Sequence, residues 1–161
     1  MGMITKFGTQ WGMLPQTAGR VFFVGPGSST VSTVTIEGRT YPMSDGNDGL
    51  SPERPLSTIA QAISNATASV GDVIALLPGT HNASTQGAQT AAAALAFSKA
   101  GITVVGLPYS PSYPSFGQQP QAIISAPAAI VPAVVTAADV VFLNCGFLAV
   151  TGKAAMSFTT A

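Results

Sequence analysis

The apolar positions of this chain change their period near residue 71. Upstream, "RVFFVGPG" (20–27) is a short apolar run stopped by Gly25-Pro26-Gly27, which predicts a strand. In "STVSTVTIEGRTYPM" (29–43), Val31, Thr33 and Thr35 alternate with Ser32, Val34 and Ile36. That period of two, a turn at Glu37-Gly38 and a second short strand at 39–43 predict a hairpin. In "LSTIAQAISNAT" the spacing lengthens: Leu56, Ile59, Ala60, Ile63 and Ala66 fall on one helical face. An amphipathic helix is expected over 57–68, capped by Ser57, preceded by Pro55 and ended by Val70-Gly71.

From residue 71 the runs are short, apolar and similar to one another. "GDVIALLPG" (71–79) and "GITVVGLP" (101–108) match at Gly71/Gly101, Leu77/Leu107 and Pro78/Pro108. "ADVVFLNCGFLAV" (138–150) predicts a third strand of the same kind, and "ALAFS", "AIISA" and "AIVPAVV" supply shorter strands between. The result is a degenerate repeat of roughly 30 to 37 residues, each unit giving two or three strands. Such a unit cannot bury its faces alone and must stack on its neighbours. The fold class is all-β, and the matching architecture is a parallel β-helix with Val, Ile, Leu and Ala inward and Gly, Pro, Asn and Ser at the corners. An antiparallel β-sandwich has the same periodicity and stays open as the alternative. The chain divides into an arm (1–20), a small β region with the turn leading into the coil (21–56), and a capping helix with β-helix rungs (57–161).

The arm carries Phe7, Trp11, Met13 and Leu14 without a helical or strand period. Large apolar side chains have little use on a solvated tail, so an extended arm docking on a neighbour is favoured over a loose terminus. "YSPSYPSFGQQP" (109–120) interrupts the repeat, and its Tyr109, Tyr113 and Phe116 suit either a contact surface or anchoring on the chain's own body.

Composition sharpens this. Only 7% of the 161 residues are charged and the net charge is zero, while 47% are hydrophobic. An ordinary soluble domain has about 25% charged residues. A free monomer with so little charge is poorly protected against association, so burial of surface against other chains is expected. Lys6, Arg20, Arg39, Arg54, Lys99 and Lys153 are scattered and form no basic patch, which argues against nucleic-acid binding. Cys145 is the only cysteine and sits in the apolar "VVFLNCGFLAV", as a buried thiol does. The apolar residues of "MGMITKFGTQWGML" are too interrupted for a secretion signal, and no run is long enough to span a membrane.

Charge concentrates in "SDGNDGLSPERPLST" (44–58). Read from Asp45 as an EF-hand loop, position 3 is Asn47, but positions 5 and 6 are Gly49 and Leu50, and the match fails. Two tight turns fit better, with Gly46 and Gly49 at positive φ and the Asx side chains bonding nearby N–H groups. A looser calcium site at Asp45, Asn47 and Asp48 is the alternative. Glu53-Arg54 suits a local ion pair or a partner contact. His81, the only histidine, is expected at a rung corner; Asp72 and Asp139, in one frame, are expected to be turn residues. Past Asp72 the chain holds only Asp139, Lys99 and Lys153 as charged groups. Glycosidases need paired carboxylates, and lyases need bases with calcium. No catalytic residue, cofactor or metal is therefore expected.

The stretch "SDGNDGLSPERPLSTIAQAI...VGDVIALLPGTH" resembles the first segment of pectate-lyase-like right-handed parallel β-helix proteins, where such a turn, capping helix and first rung follow in order. "WGMLPQTAGRVFFV...TIEGRTYPMSDGNDGLSPERPLSTI" resembles structural proteins of tailed bacteriophages. The resemblance implies a homotrimer in the virion, assembled in the bacterial host cytoplasm. The favoured role is a capsid decoration (cement) protein bound to the major capsid protein, through Phe7, Trp11, Met13, Leu14, Phe22 and Phe23. The alternative is a particle-binding module of a tail fibre or tailspike, in contact with tail proteins; a polysaccharide-degrading enzyme is less expected. Neither nucleic acid nor membrane is an expected partner. "GKAAMSFTTA" reads as a strand that begins a rung with nothing after it.

Overall fold

The computed structural model describes residues 19–27, 32–36, 38–87, 94–107, 122–126, 131–149, 152 and 154–159. They are mostly strand, with one short helix. The elements are β1 (Val21–Val24), β2 (Thr33–Ile36), β3 (Arg39–Pro42), α1 (Ile59–Asn65), β4 (Val73–Leu76), β5 (Gly79–Asn82) and β6 (Leu95–Phe97). They continue with β7 (Thr103–Gly106), β8 (Ala122–Ser125), β9 (Ala133–Val135), β10 (Val141–Leu143), β11 (Cys145–Leu148) and β12 (Met156–Phe158). Strands β2 and β3 form the expected antiparallel hairpin, with Gly38 at φ 77° in its turn.

The other strands form three parallel sheets, ordered β1-β4-β7-β10, β5-β8-β11 and β6-β9-β12. Successive strands from β4 onward visit the three sheets in turn, so each consecutive triplet adds one strand to every sheet. Parallel pairing sets the antiparallel sandwich aside. The interval between paired strands is not regular: Gly79 pairs with Ala122, but Ala122 pairs with Cys145, much closer in sequence. The chain between strands absorbs the difference, which is why the repeat looks degenerate.

Register puts like residues on one face. Phe22, Ile74, Val104 and Phe142 stack across the first sheet and point to the interior. Ala122, Ile124, Leu95, Phe97, Ala133 and Val135 close that interior from the other two sheets. Phe142 makes edge-to-face contacts with Phe97 and Phe147, at centroid distances of 5.0 and 5.2 Å, which join all three sheets. The opposite face of the first sheet carries a second cluster. Phe23, Val73, Ala75 and Val105 pack there with Val34 and Met43 of the hairpin region. Strands covered on both faces read as continuous apolar runs, hence "VFFV" and "VIAL".

Several expectations are corrected here. Helix α1 spans seven residues, not 57–68, and its N-cap is Thr58, one residue after Ser57. Ala62 is buried in its stripe, with Ala60 only half-buried. The strand expected over 138–150 is two strands in different sheets. Asn144, at φ 51°, breaks it, and its Nδ2 donates to the Gly106 carbonyl. Gly106 has no room for a Cβ because the Asn144 carbonyl lies against it. The strand in "GKAAMSFTTA" completes the third triplet as β12 instead of beginning a new one. Asp139 is not in frame with Asp72: the register aligns Val73 with Thr103 and Thr103 with Val141, so the counterpart of Asp72 is Val140.

Candidate functional site

Polar side chains concentrate around α1, at the first-triplet end of the stack. The first N–H groups of a helix lack intrahelical partners. Here each one is accounted for. The Gln86 side-chain oxygen accepts from Ile59 N–H (3.1 Å), and the Gln86 backbone carbonyl accepts from Ala60 N–H (3.1 Å). Thr58 Oγ1 accepts from Gln61 N–H (3.1 Å). Gln86 is wholly buried, and its Nε2 donates to the carbonyls of Gly27 (2.9 Å) and Ser57 (3.1 Å). One carboxamide thus ties the β1 exit, the helix start and the turn after β5.

Asp45 finishes this end. Its Oδ1 accepts from the N–H groups of Ser57 (3.0 Å) and Thr58 (2.9 Å), and its Oδ2 accepts from Thr58 Oγ1 (2.9 Å). Asp48 Oδ1 accepts from Leu50 N–H, and Asn47 Nδ2 donates to the carbonyls of Pro42 and Pro55. The three residues of the candidate calcium site are therefore turned onto the chain's own backbone and hydroxyl. Among the described residues no cluster of His, Cys, Asp and Glu fits a metal ion. Gly49 takes the positive φ expected of it (69°), whereas Gly46 does not. Arg54 pairs with Asp48 at 3.5 Å, not with Glu53.

At the other end of α1 stands Asp72, a buried carboxylate and not merely a turn residue. It accepts from the backbone N–H groups of Arg20 (2.6 Å) and Thr67 (2.8 Å). The Arg20 guanidinium lies 3.5 Å from its Oδ2, 4.9 Å from the Phe22 ring centroid, and donates to the Asn65 carbonyl (2.9 Å). The beginning of β1, the end of α1 and the start of β4 meet on one carboxylate.

His81 is not at a corner. It lies within β5, fully buried, in register with Ile124. Nε2 donates to the Leu77 carbonyl at 2.9 Å, while Nδ1 has no hydrogen-bond partner. Burial lowers its pKa; the Leu77 carbonyl opposes this, as does the nearby Gln86 side chain, although that side chain makes no hydrogen bond to Nδ1. Cys145 is half-buried and faces the interior. Burial pushes its thiol up to about 12, so it is no nucleophile at neutral pH.

Of the expected contact residues, Phe7, Trp11, Met13 and Leu14 lie outside the described residues, as does the 109–120 loop. Phe22 and Phe23 are buried in the two core clusters, which leaves them no surface for a partner and corrects their place as contact residues. The exposed large apolar residues lie elsewhere: Leu50 and Val70 in the turns beside α1, and Val141, Leu143, Leu148 and Phe158 on the last strand of each sheet. A cleft of about 350 Å³ opens between α1 and β6, lined by Ala60, Ile63, Leu95 and Lys99 among others. Among the described residues that line it, Lys99 is the one charged group, with no second acid or base of the kind that bond cleavage needs. Gln86 carries no signature in the sequence. Its sole signal is a polar residue placed where a short helix must find acceptors.

No family model, curated protein or solved structure matches this chain. Among the described residues no helix is long and apolar enough to cross a membrane.

Proposed function

We propose that the chain is a structural protein of a tailed-phage virion, a decoration protein that binds the head as a homotrimer. In this reading the three sheets are the sides of a right-handed, single-stranded parallel β-helix. The cyclic order of strands supports the coil. The strong preference of parallel crossovers for the right hand supports its handedness. The observation that carries the role is where the polar groups go. Asp45, Asp48, Asp72 and Gln86 serve the chain's own backbone, while Val141, Leu143, Leu148 and Phe158 are left outside. Such a distribution suits a protein that acts by being built into a larger one. Many weak contacts repeated over a shell stabilise it by mass action and avidity.

Phe7, Trp11, Met13 and Leu14 remain the proposed contacts to the major capsid protein. Removing residues 1–18, ahead of the anchor at Arg20, is expected to abolish occupancy on heads while leaving the fold intact. Undiminished occupancy would sink the arm's role. Strands β10, β11 and β12, the last of their sheets among the described residues, favour a second reading, a tail fibre or tailspike module whose coil continues into a partner. Copy number on purified particles separates the two, with hundreds of copies expected for a head protein and a few dozen or fewer for a tail protein. A polysaccharide-degrading role has the least support, because the Asp45, Asp48 and Asp72 carboxylates are engaged and the cysteine thiol is held protonated.

A further inference from the structure

We propose that His81 is an acid-sensitive catch on helix α1, whose protonation loosens the first triplet through Gln86. The geometry rests on three observations. The ring is wholly inside, on the face that Ile124 and the apolar core share. Its Nε2–H is committed to the Leu77 carbonyl, so the neutral ring leaves Nδ1 as an acceptor without a donor. A polar side chain near the ring is that of Gln86, whose oxygen already holds the Ile59 N–H.

Protonation turns Nδ1 into a second donor. In this proposal the new donor turns to the Gln86 side chain, so the imidazolium competes with the helix start for its oxygen. The alternative is a buried charge with an unmade hydrogen bond, which is costly. Among the described residues, the surrounding elements turn no counter-charge inward. Strand β4 turns Ile74 and Leu76 inward, β8 turns Ala122 and Ile124, and α1 turns Ile59, Ala62 and Ile63. Strand β11 turns Phe147 and Cys145 inward, and the Cys145 thiol stays protonated. The charged groups at the margins are engaged: Asp45 with Ser57 and Thr58, and Asp72 with Arg20 and Thr67.

The sign follows from linkage. An unfolded histidine takes up its proton near pH 6.5, at about its ordinary pKa. The folded ring, held below that value, does not. Below about pH 6.5 the unfolded state therefore binds more protons, and stability falls as pH drops, by up to about tenfold in the unfolding constant per pH unit. The loss ceases once pH falls below the folded pKa. This device is independent of the virion role.

His81 is the only histidine, so its ring protons can be followed by NMR without assignment. The folded full-length chain is expected to titrate below pH 6.5. A folded pKa at or above that value would overturn the proposal. Urea unfolding between pH 7 and pH 5 should show the unfolding constant rising several-fold, up to about 25-fold, in the natural chain. His81→Gln keeps a donor for Leu77 but cannot titrate, and should flatten that dependence. An equal slope in the variant overturns the catch. If His81→Gln does not fold, amide exchange in the natural chain decides. Ile59 and Ala60 should lose protection at pH 5, relative to pH 7, more than Val104 does after correction for intrinsic rates. Equal changes at all three would refute the link to the helix.

Discussion

The two ends of this stack are built from different chemistry. At the first-triplet end, the chain from Gly49 to Leu56 lies along β1 with backbone hydrogen bonds to Phe23, and α1 packs Ile59, Ala62 and Ile63 onto the core. Gln86, Asp45 and Asp72 hold that closure at three points. At the far end, β10, β11 and β12 are the last strands of their sheets, carry no charged residue, and leave Leu148 and Phe158 60% and 71% exposed. Closing the end of a parallel stack brings backbone groups out of water, and each needs a partner. Among the described residues, buried or capping side chains meet that demand at the first-triplet end. An end whose last described strands carry exposed apolar side chains is suited to another surface instead.

The comparison breaks first at Gln86. Gln86→Ala removes the acceptor for the buried Ile59 N–H and the donors for the Gly27 and Ser57 carbonyls. A loss of about 3 kcal/mol in urea-derived stability is expected, since each buried group left unpaired costs about 1–3 kcal/mol. A loss under about 1 kcal/mol would show that the carboxamide does not hold the closure.

This asymmetry was only partly legible in the sequence. The strands were legible because burial on both faces leaves continuous apolar runs. "VIAL" and "TVVG" announce a covered sheet, and "TVTI" opposite "RTYP" announces a hairpin. The stacking of Gly71 and Gly101 was legible because corners demand unusual φ, and both residues take it, at 78° and 66°. The break at Asn144 was not, because Asn is polar enough for a corner but the run around it is apolar on both sides. The roles of Asp45 and Asp72 were hidden for another reason. A carboxylate that accepts from backbone N–H groups many residues away looks, in sequence, like one that waits for a ligand. Only tertiary contact separates Asp45 at a helix start from Asp45 at an ion. His81 was misplaced at a corner because polarity argues for exposure, and the Leu77 carbonyl that admits the ring to the interior comes from the backbone, which leaves no mark in composition.

A smaller effect is expected at Asp45. Asp45→Ala deletes three hydrogen bonds at the start of α1, but the site is exposed and water replaces part of them. A cap of this kind contributes about 1 kcal/mol. Asp45→Asn should recover most of it, because one oxygen still accepts from Ser57 and Thr58. Millimolar calcium should leave the melting temperature of the natural chain unchanged. A calcium-dependent rise that Asp45→Ala abolishes would return this turn to the ion-site reading, and the first-triplet end would then be a binding site as well as a closure.

The smallest effect on the fold is expected at the far end, and it separates the two ends most cleanly. Leu148→Ser and Phe158→Ser remove apolar surface that the single chain leaves in water, so each should change the stability of the dilute chain by no more than about 0.5 kcal/mol. If that surface meets another, the same substitutions should reduce assembly, read as a shift toward smaller species in sedimentation velocity at higher concentration. Assembly that is unaffected would free these residues from any contact. A loss of intrinsic stability above about 1 kcal/mol would mean that the far end is held by these side chains, as the first end is held by Gln86. The difference between the ends would then be one of side-chain type and not of closure.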